Sequence, residues 1–163
     1  MEAVILCGIQ ASGKTRFFRD RFLETHVRIS RDLLRTEHRE RRFLELCLET
    51  RQPFVVDKTN ATPAHRRPYV EAARAAGFGV VAYAVDVATD EALARNALRP
   101  QRRRVPYRAV MGTRKALEEP RLVEGFDAVW RVRADGEGGW IVEPGDGGPD
   151  EHPRQDSNLR PAD

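Results

Sequence analysis

The stretch that decides the fold is GIQASGKT, Gly8–Thr15. It fits G-x-x-x-x-G-K-[ST] at every fixed position, and its flanks are those the pattern needs. AVILC (3–7) before it is a nearly all-apolar run, as expected of a strand buried on both faces. An amphipathic helix is expected to begin near Gly13. Glycines let the backbone turn its N–H groups inward, and a helix N-terminus adds a dipole that favours anionic phosphate. On this reading Gly8, Gln10, Ala11, Ser12, Gly13, Lys14 and Thr15 line a nucleotide phosphate site. Lys14 reaches the β- and γ-phosphates, and the Thr15 hydroxyl ligates Mg²⁺. The motif accepts ATP or GTP.

The rest of the composition sharpens that reading. Of 28 basic residues only Lys14, Lys58 and Lys115 are lysine, which leaves 25 arginines (28 − 3). A lysine kept at position 14 of so arginine-rich a chain argues for its chemistry. The net charge of +3 does not fit a strongly basic, DNA-coating protein. Cys7 and Cys47 are too few for a disulfide framework or a zinc site, and Cys7 reads as a small core residue. His26, His38, His65 and His152 show no metal-ligand spacing. No apolar run is long enough for a membrane span, and MEAVILCG has neither the basic start nor the cleavage site of a signal peptide. A reducing, cytoplasmic setting is expected, with no membrane and no obligate protein partner.

Working outward, HVRIS (26–30), PFVVD (53–57) and GVVAYAVDV (79–87) read as further strands. A helix with breaks is expected from Asp32 to Glu49. Thr62 caps the next helix with Pro63 at its first position, and Gly77 closes it. Thr89 opens the helix DEALARNALR, followed by the arginine-rich loop PQRRRVP (100–106) and a helix over 107–119. AVWRV (128–132) and WIV (140–142) are terminal strands joined by a glycine-rich turn, and Phe126, Trp130 and Trp140 are expected to cover one edge of the sheet. Strand and helix in alternation predict an α/β domain with a mainly parallel sheet. The domain spans 1–143, with an arginine-rich lid near 95–106. The polar, Gly- and Pro-rich tail 144–163 is expected to be disordered.

Two carboxylates stand where chemistry could use them. Asp57 ends a strand beside the phosphate loop, where it would hold the magnesium shell through water, or else simply make a turn. Asp32 lies in ISRDLLR (29–35), and two readings of it stand. It is a favourable charge at a helix start capped by Ser30, or it is a base at the carboxyl end of a strand, one helical turn from Arg35. The segment RNALRPQRRR (95–104) holds five arginines, and Arg95 and Arg99 share a helical face. As a lid they would stabilise charge on a transferring phosphoryl group and exclude water; otherwise they form a solvated basic patch.

GIQASGKT, SRDLLR, VVDKTN and the RN-x-x-R segment before VP together resemble the kinase domain of 5′-hydroxyl polynucleotide kinases and the stand-alone bacterial P-loop kinases described as AAA-type. The resemblance covers about Met1 to Val142. It implies a P-loop NTPase fold of the nucleoside- and nucleotide-kinase kind, a three-layer sandwich around a mainly parallel sheet. It implies ATP with Mg²⁺, and transfer of the γ-phosphate to a hydroxyl, in the first place a polynucleotide 5′ end. The implied roles are Lys14 and Thr15 for ATP and metal, Asp32 as base and Arg35 on the acceptor-side phosphate. Arg99, or else Arg95, would engage the β- and γ-phosphates, and Thr59 and Asn60 would line the substrate side. Pro100 and Arg102–Arg104 depart from the family's lid, which leaves its register open by about a residue. A small-molecule kinase acting on a nucleoside, sugar nucleotide or antibiotic hydroxyl remains the alternative, as does a nucleotide-binding ATPase module.

Overall fold

The computed structural model describes residues 1–147. Six strands form one sheet in the order β2-β3-β1-β4-β5-β6: β1 is Glu2–Cys7, β2 Val27–Ile29, β3 Phe54–Asp57, β4 Gly79–Val85, β5 Ala128–Ala134 and β6 Trp140–Pro144. The first five run parallel, and β6 returns antiparallel to β5. Six helices connect them: α1 Lys14–Arg21, α2 Arg31–Leu34, α3 Glu37–Thr50, α4 Pro63–Ala75, α5 Thr89–Ala97 and α6 Tyr107–Ala116.

β1 is the centre of the sheet, and Ala3 to Cys7 are fully buried. Its side chains alternate between two layers. Ala3, Ile5 and Cys7 pack with Cys47 of α3 and with Tyr69, Val70 and Ala73 of α4. Val4 and Leu6 pack with Phe17 and Phe18 of α1 and with Phe22. The expected three-layer sandwich is thus the observed one. A third, smaller cluster of Ile9, Val87, Ala92 and Val110 fastens α5 and α6 to the loop that follows β1. Burial of Cys7 pushes its thiol up to about 12, so it is a core residue and not a nucleophile.

The helix expected over 32–49 is two helices. Arg35 adopts φ 75°, and Thr36 N–H donates to Leu34 O at 3.0 Å across it, a γ-turn that L-residues adopt only under strain. Thr36 then caps α3 by accepting from Arg39 N at 3.2 Å. Thr62 caps α4 as expected, accepting from His65 N. α6 stops at Ala116, short of Glu119. Phe126 and Trp140 do not share an edge: Phe126 joins the α3/α4 layer, whereas the returning strand carries Trp140 onto the α1 layer. β6 reaches Pro144, and Gly145 N donates to Val129 O, so 144–147 run on from the sheet; the rest of the expected tail lies outside the described residues.

Candidate active site

The candidate residues lie at or after the carboxyl ends of four parallel strands, β1 to β4, along one edge of the sheet. Ala11 takes φ 60° and Gly13 φ 102°, which curls the loop over the start of α1. Gly8 is required by close approach: a Cβ there would lie 2.7 Å from Val85 O and 2.9 Å from Ser12 Oγ. Its N–H donates to Thr59 O at 2.9 Å, tying the loop to the segment after β3. Gln10 turns away from the loop interior, its Nε2 donating to Thr113 Oγ1 of α6 at 3.0 Å. Its place in a phosphate site would therefore come through its backbone.

Lys14 is buried, and its ammonium donates to Gly8 O at 2.9 Å, Ile9 O at 2.7 Å and Ser12 Oγ at 3.3 Å. Burial pushes its pKa down to about 8, while the charge of Asp57 opposes that fall. Arg99 also lowers it and Asp32 raises it.

On the metal side, Thr15 Oγ1 donates to Asp57 Oδ2 at 2.9 Å. A hydroxyl that spends its proton on the carboxylate keeps lone pairs for a cation, and two hard oxygens suit Mg²⁺. Among the described residues no group of three or more His, Cys, Asp or Glu side chains gathers for a metal, so most ligands of such an ion would have to come from phosphate and water. Sequence reasoning missed Arg28 of β2, whose Nε donates to the same Asp57 oxygen at 2.7 Å. An arginine in the middle of a short strand was the available signal.

Asp32 is exposed in the first turn of α2 and has no hydrogen bond or ion pair among the described residues. Ser30 sits at the N-cap with extended backbone, but its side chain makes no capping bond. Arg35 is exposed too. Thr59 is half-buried and meets the phosphate loop through its carbonyl. Asn60 is placed differently from the sequence expectation. It is 2% exposed, and its Nδ2 donates to Leu6 O at 2.8 Å, so it braces β1 from behind the loop. Its Oδ1 is buried and has no hydrogen-bond partner among the described residues.

On the lid side, the guanidinium of Arg95 pairs with Glu91, and its Nη1 lies 3.8 Å from where a Cβ on Gly13 would stand. Trp140 is nearer still, 3.2 Å from that point, with Arg16 stacked 4.9 Å over its ring. Sequence reading placed Trp140 only at an edge of the sheet and did not single out Arg16. Asn96, buried between the lid arginines, was missed as well, and it bonds to both backbone groups of Val105. Behind α2, buried Glu40 accepts from Arg31 Nε at 2.7 Å, from Lys58 Nζ at 3.1 Å and from the Tyr69 hydroxyl. Burial alone would push this carboxyl up; the bonds from Tyr69, Arg31 and Lys58 outweigh it and hold it below its ordinary value. A separate cavity of about 630 Å³, lined by Glu118, Arg121, Arg131 and Asp146 among others, shares no residue with this site.

A family described as "AAA domain" matches residues 4–120. Among solved structures, Kti12 of Chaetomium thermophilum in complex with ADP-AlF3 superposes with a TM-score of 0.67 at 14% identity, covering 82% of this chain and 89% of that one. A gluconokinase from Sinorhizobium meliloti gives 0.56 at 18% identity, covering 82% and 83%. The APS kinase CysC of Mycobacterium tuberculosis, in complex with AMPPNP and APS, gives 0.50 at 15% identity, covering 82% and 88%. The fold is P-loop kinase-like. No helix of the described residues is long and apolar enough to cross a membrane.

Proposed function

The chain belongs to the AAA domain family, and from that premise we propose that it is an ATP- and Mg²⁺-dependent kinase whose acceptor is a hydroxyl, in the first place a polynucleotide 5′-OH. The observation that carries the reading is Asp32. It is an exposed carboxylate whose side chain has no hydrogen bond or ion pair among the described residues, in the first turn after β2, at the same carboxyl edge of the parallel sheet as the phosphate loop after β1. A base needs that combination: an open lone pair for the acceptor proton and proximity to the phosphate site.

In the proposed reaction the acceptor oxygen forms a bond to the γ-phosphorus, and the bond from that phosphorus to the bridging oxygen breaks to release ADP. Asp32 takes the hydroxyl proton. Lys14, freed from the loop carbonyls, holds the β- and γ-phosphates, and Arg99 and Arg95 offset the charge that develops on transfer. Thr15 and Asp57 would hold the magnesium ion, which when bound neutralises phosphate charge. Arg35 would hold an anionic group of the acceptor. The exposed Arg102, Arg103 and Arg104 of the lid suit a polyanion.

A small-molecule hydroxyl is the second reading, supported by the acceptors implied in the names of the gluconokinase and the APS kinase. The test is transfer of γ-labelled phosphate from ATP to 5′-hydroxyl RNA and DNA oligomers, nucleosides, simple sugars and a no-acceptor control. Label on oligomer 5′ ends, lost in Asp32→Ala, supports the first reading. Label on small acceptors alone moves the acceptor class. Phosphate released only to water, at equal rates in both proteins, overturns the kinase reading in favour of an ATPase module.

A further inference from the structure

Arg28 has no part in the chemistry above, yet it touches both residues of the metal side. Its Nε donates to Asp57 Oδ2 at 2.7 Å and its Nη2 to Thr15 Oγ1 at 3.3 Å. Thr15 gives its single hydroxyl proton to the same Asp57 oxygen. The three side chains close a triangle in which the guanidinium draws on a lone pair of each oxygen. The Asp57 side chain is only 4% exposed, and a carboxylate so buried needs a cation or several donors. Arg28 supplies the cation and, with Thr15, the donors, from a position that leaves 25% of its own side chain open to solvent.

A magnesium ion held directly by Thr15 and through water by Asp57 needs those same lone pairs. A hydrated dication there would have to share the same two oxygens with the guanidinium, and their charges repel at such range. We propose that Arg28 is a built-in rival of the magnesium ion. In one arrangement it keeps Thr15 and Asp57 aligned; in the other it swings toward solvent and the metal–nucleotide complex takes its place. Arg28 then sets the Mg²⁺ concentration at which nucleotide binds tightly. The inference rests on the metal assignment of Thr15 and Asp57 and is independent of the acceptor.

The experiment is calorimetric binding of ADP across a series of Mg²⁺ concentrations, with wild type, Arg28→Gln and Arg28→Lys, each checked by a melting curve. Arg28→Gln is expected to lower the half-saturating Mg²⁺ concentration by about tenfold, the weight of one charge-assisted hydrogen bond. Arg28→Lys keeps a charge but loses the two-point fork, and should fall between. An unchanged or higher half-saturation in a folded Arg28→Gln overturns the proposal. Should that variant not fold, a wild-type value in Arg28→Lys overturns it equally. Wild-type binding that ignores Mg²⁺ would sink the metal assignment and this inference together. Mg²⁺-dependent ADP binding without label transfer to any acceptor would sink only the kinase reading.

Discussion

Asn96 grips Val105 at both ends of one peptide residue: its Nδ2 donates to Val105 O at 2.7 Å, and its Oδ1 accepts from Val105 N at 3.0 Å. Between them the chain carries Arg99, Arg102, Arg103 and Arg104, with Arg104 Nε bonded back to Arg99 O. The arginine loop is therefore a closed ring with a fixed base. Asn96→Ala would strand two backbone groups and is expected to cost about 1–3 kcal/mol of stability. Limited proteolysis should then cut within 99–104 faster than in wild type, and, on the proposed lid role, the Km for ATP should rise with the loosened loop. Unchanged cleavage would show that the ring does not depend on Asn96.

Asp32→Ala separates catalysis from folding. Because the side chain is exposed and has no hydrogen bond or ion pair among the described residues, stability should change by no more than about 0.5 kcal/mol. The label-transfer rate should fall by about 10²–10⁴-fold, the usual weight of a general base, with ADP affinity retained. A matched loss of ADP binding would instead make Asp32 part of the nucleotide site.

Glu40 predicts an acid limb to stability. Its folded pKa is held below its ordinary value, because the bonds from Tyr69, Arg31 and Lys58 outweigh the effect of burial. The sign follows: the unfolded state takes up the proton first, so the contribution is fully present above about pH 4.5 and fades as pH falls through the lower, folded value. Glu40→Gln should melt earlier at neutral pH and lose less on acidification than wild type. Parallel pH profiles for the two proteins would remove Glu40 from the acid transition.

Gly8→Ala asks whether the cradle tolerates one methyl group. The added carbon would meet Val85 O, a backbone atom that cannot turn aside, at 2.7 Å. The expected cost is about 1–3 kcal/mol, with nucleotide affinity falling because the Gly8 N–H to Thr59 contact shifts. Calorimetry with ADP and a melting curve read both effects.

Much of the layout was legible because its signals are local. The run from Ala3 to Cys7 announces a strand buried on both faces, and Thr62 with Pro63 announces a helix start. The strained turn at Arg35 was not legible, because arginine carries no composition signal for positive φ. The phosphate loop could be read from its spacing, whereas Asn60 could not: one amide serves equally to touch a ligand or to brace β1, and only the fold shows that it braces. Arg28, Asn96 and Glu40 act through partners distant in sequence or through backbone groups, and neither kind leaves a periodic trace.

The chain contains two tryptophans, and their surroundings differ in a useful way. Trp130 lies deep in β5 at 4% exposure, a constant background. Trp140 is half-buried against Gly13, with Arg16 over its ring and its Nε1 donating to Asp20 Oδ2 at 2.8 Å. The molecule thus carries its own optical gauge of the phosphate loop. Rearrangement around Gly13 should alter the emission of Trp140 while that of Trp130 stays fixed, so unlabelled protein can report loop occupancy in real time.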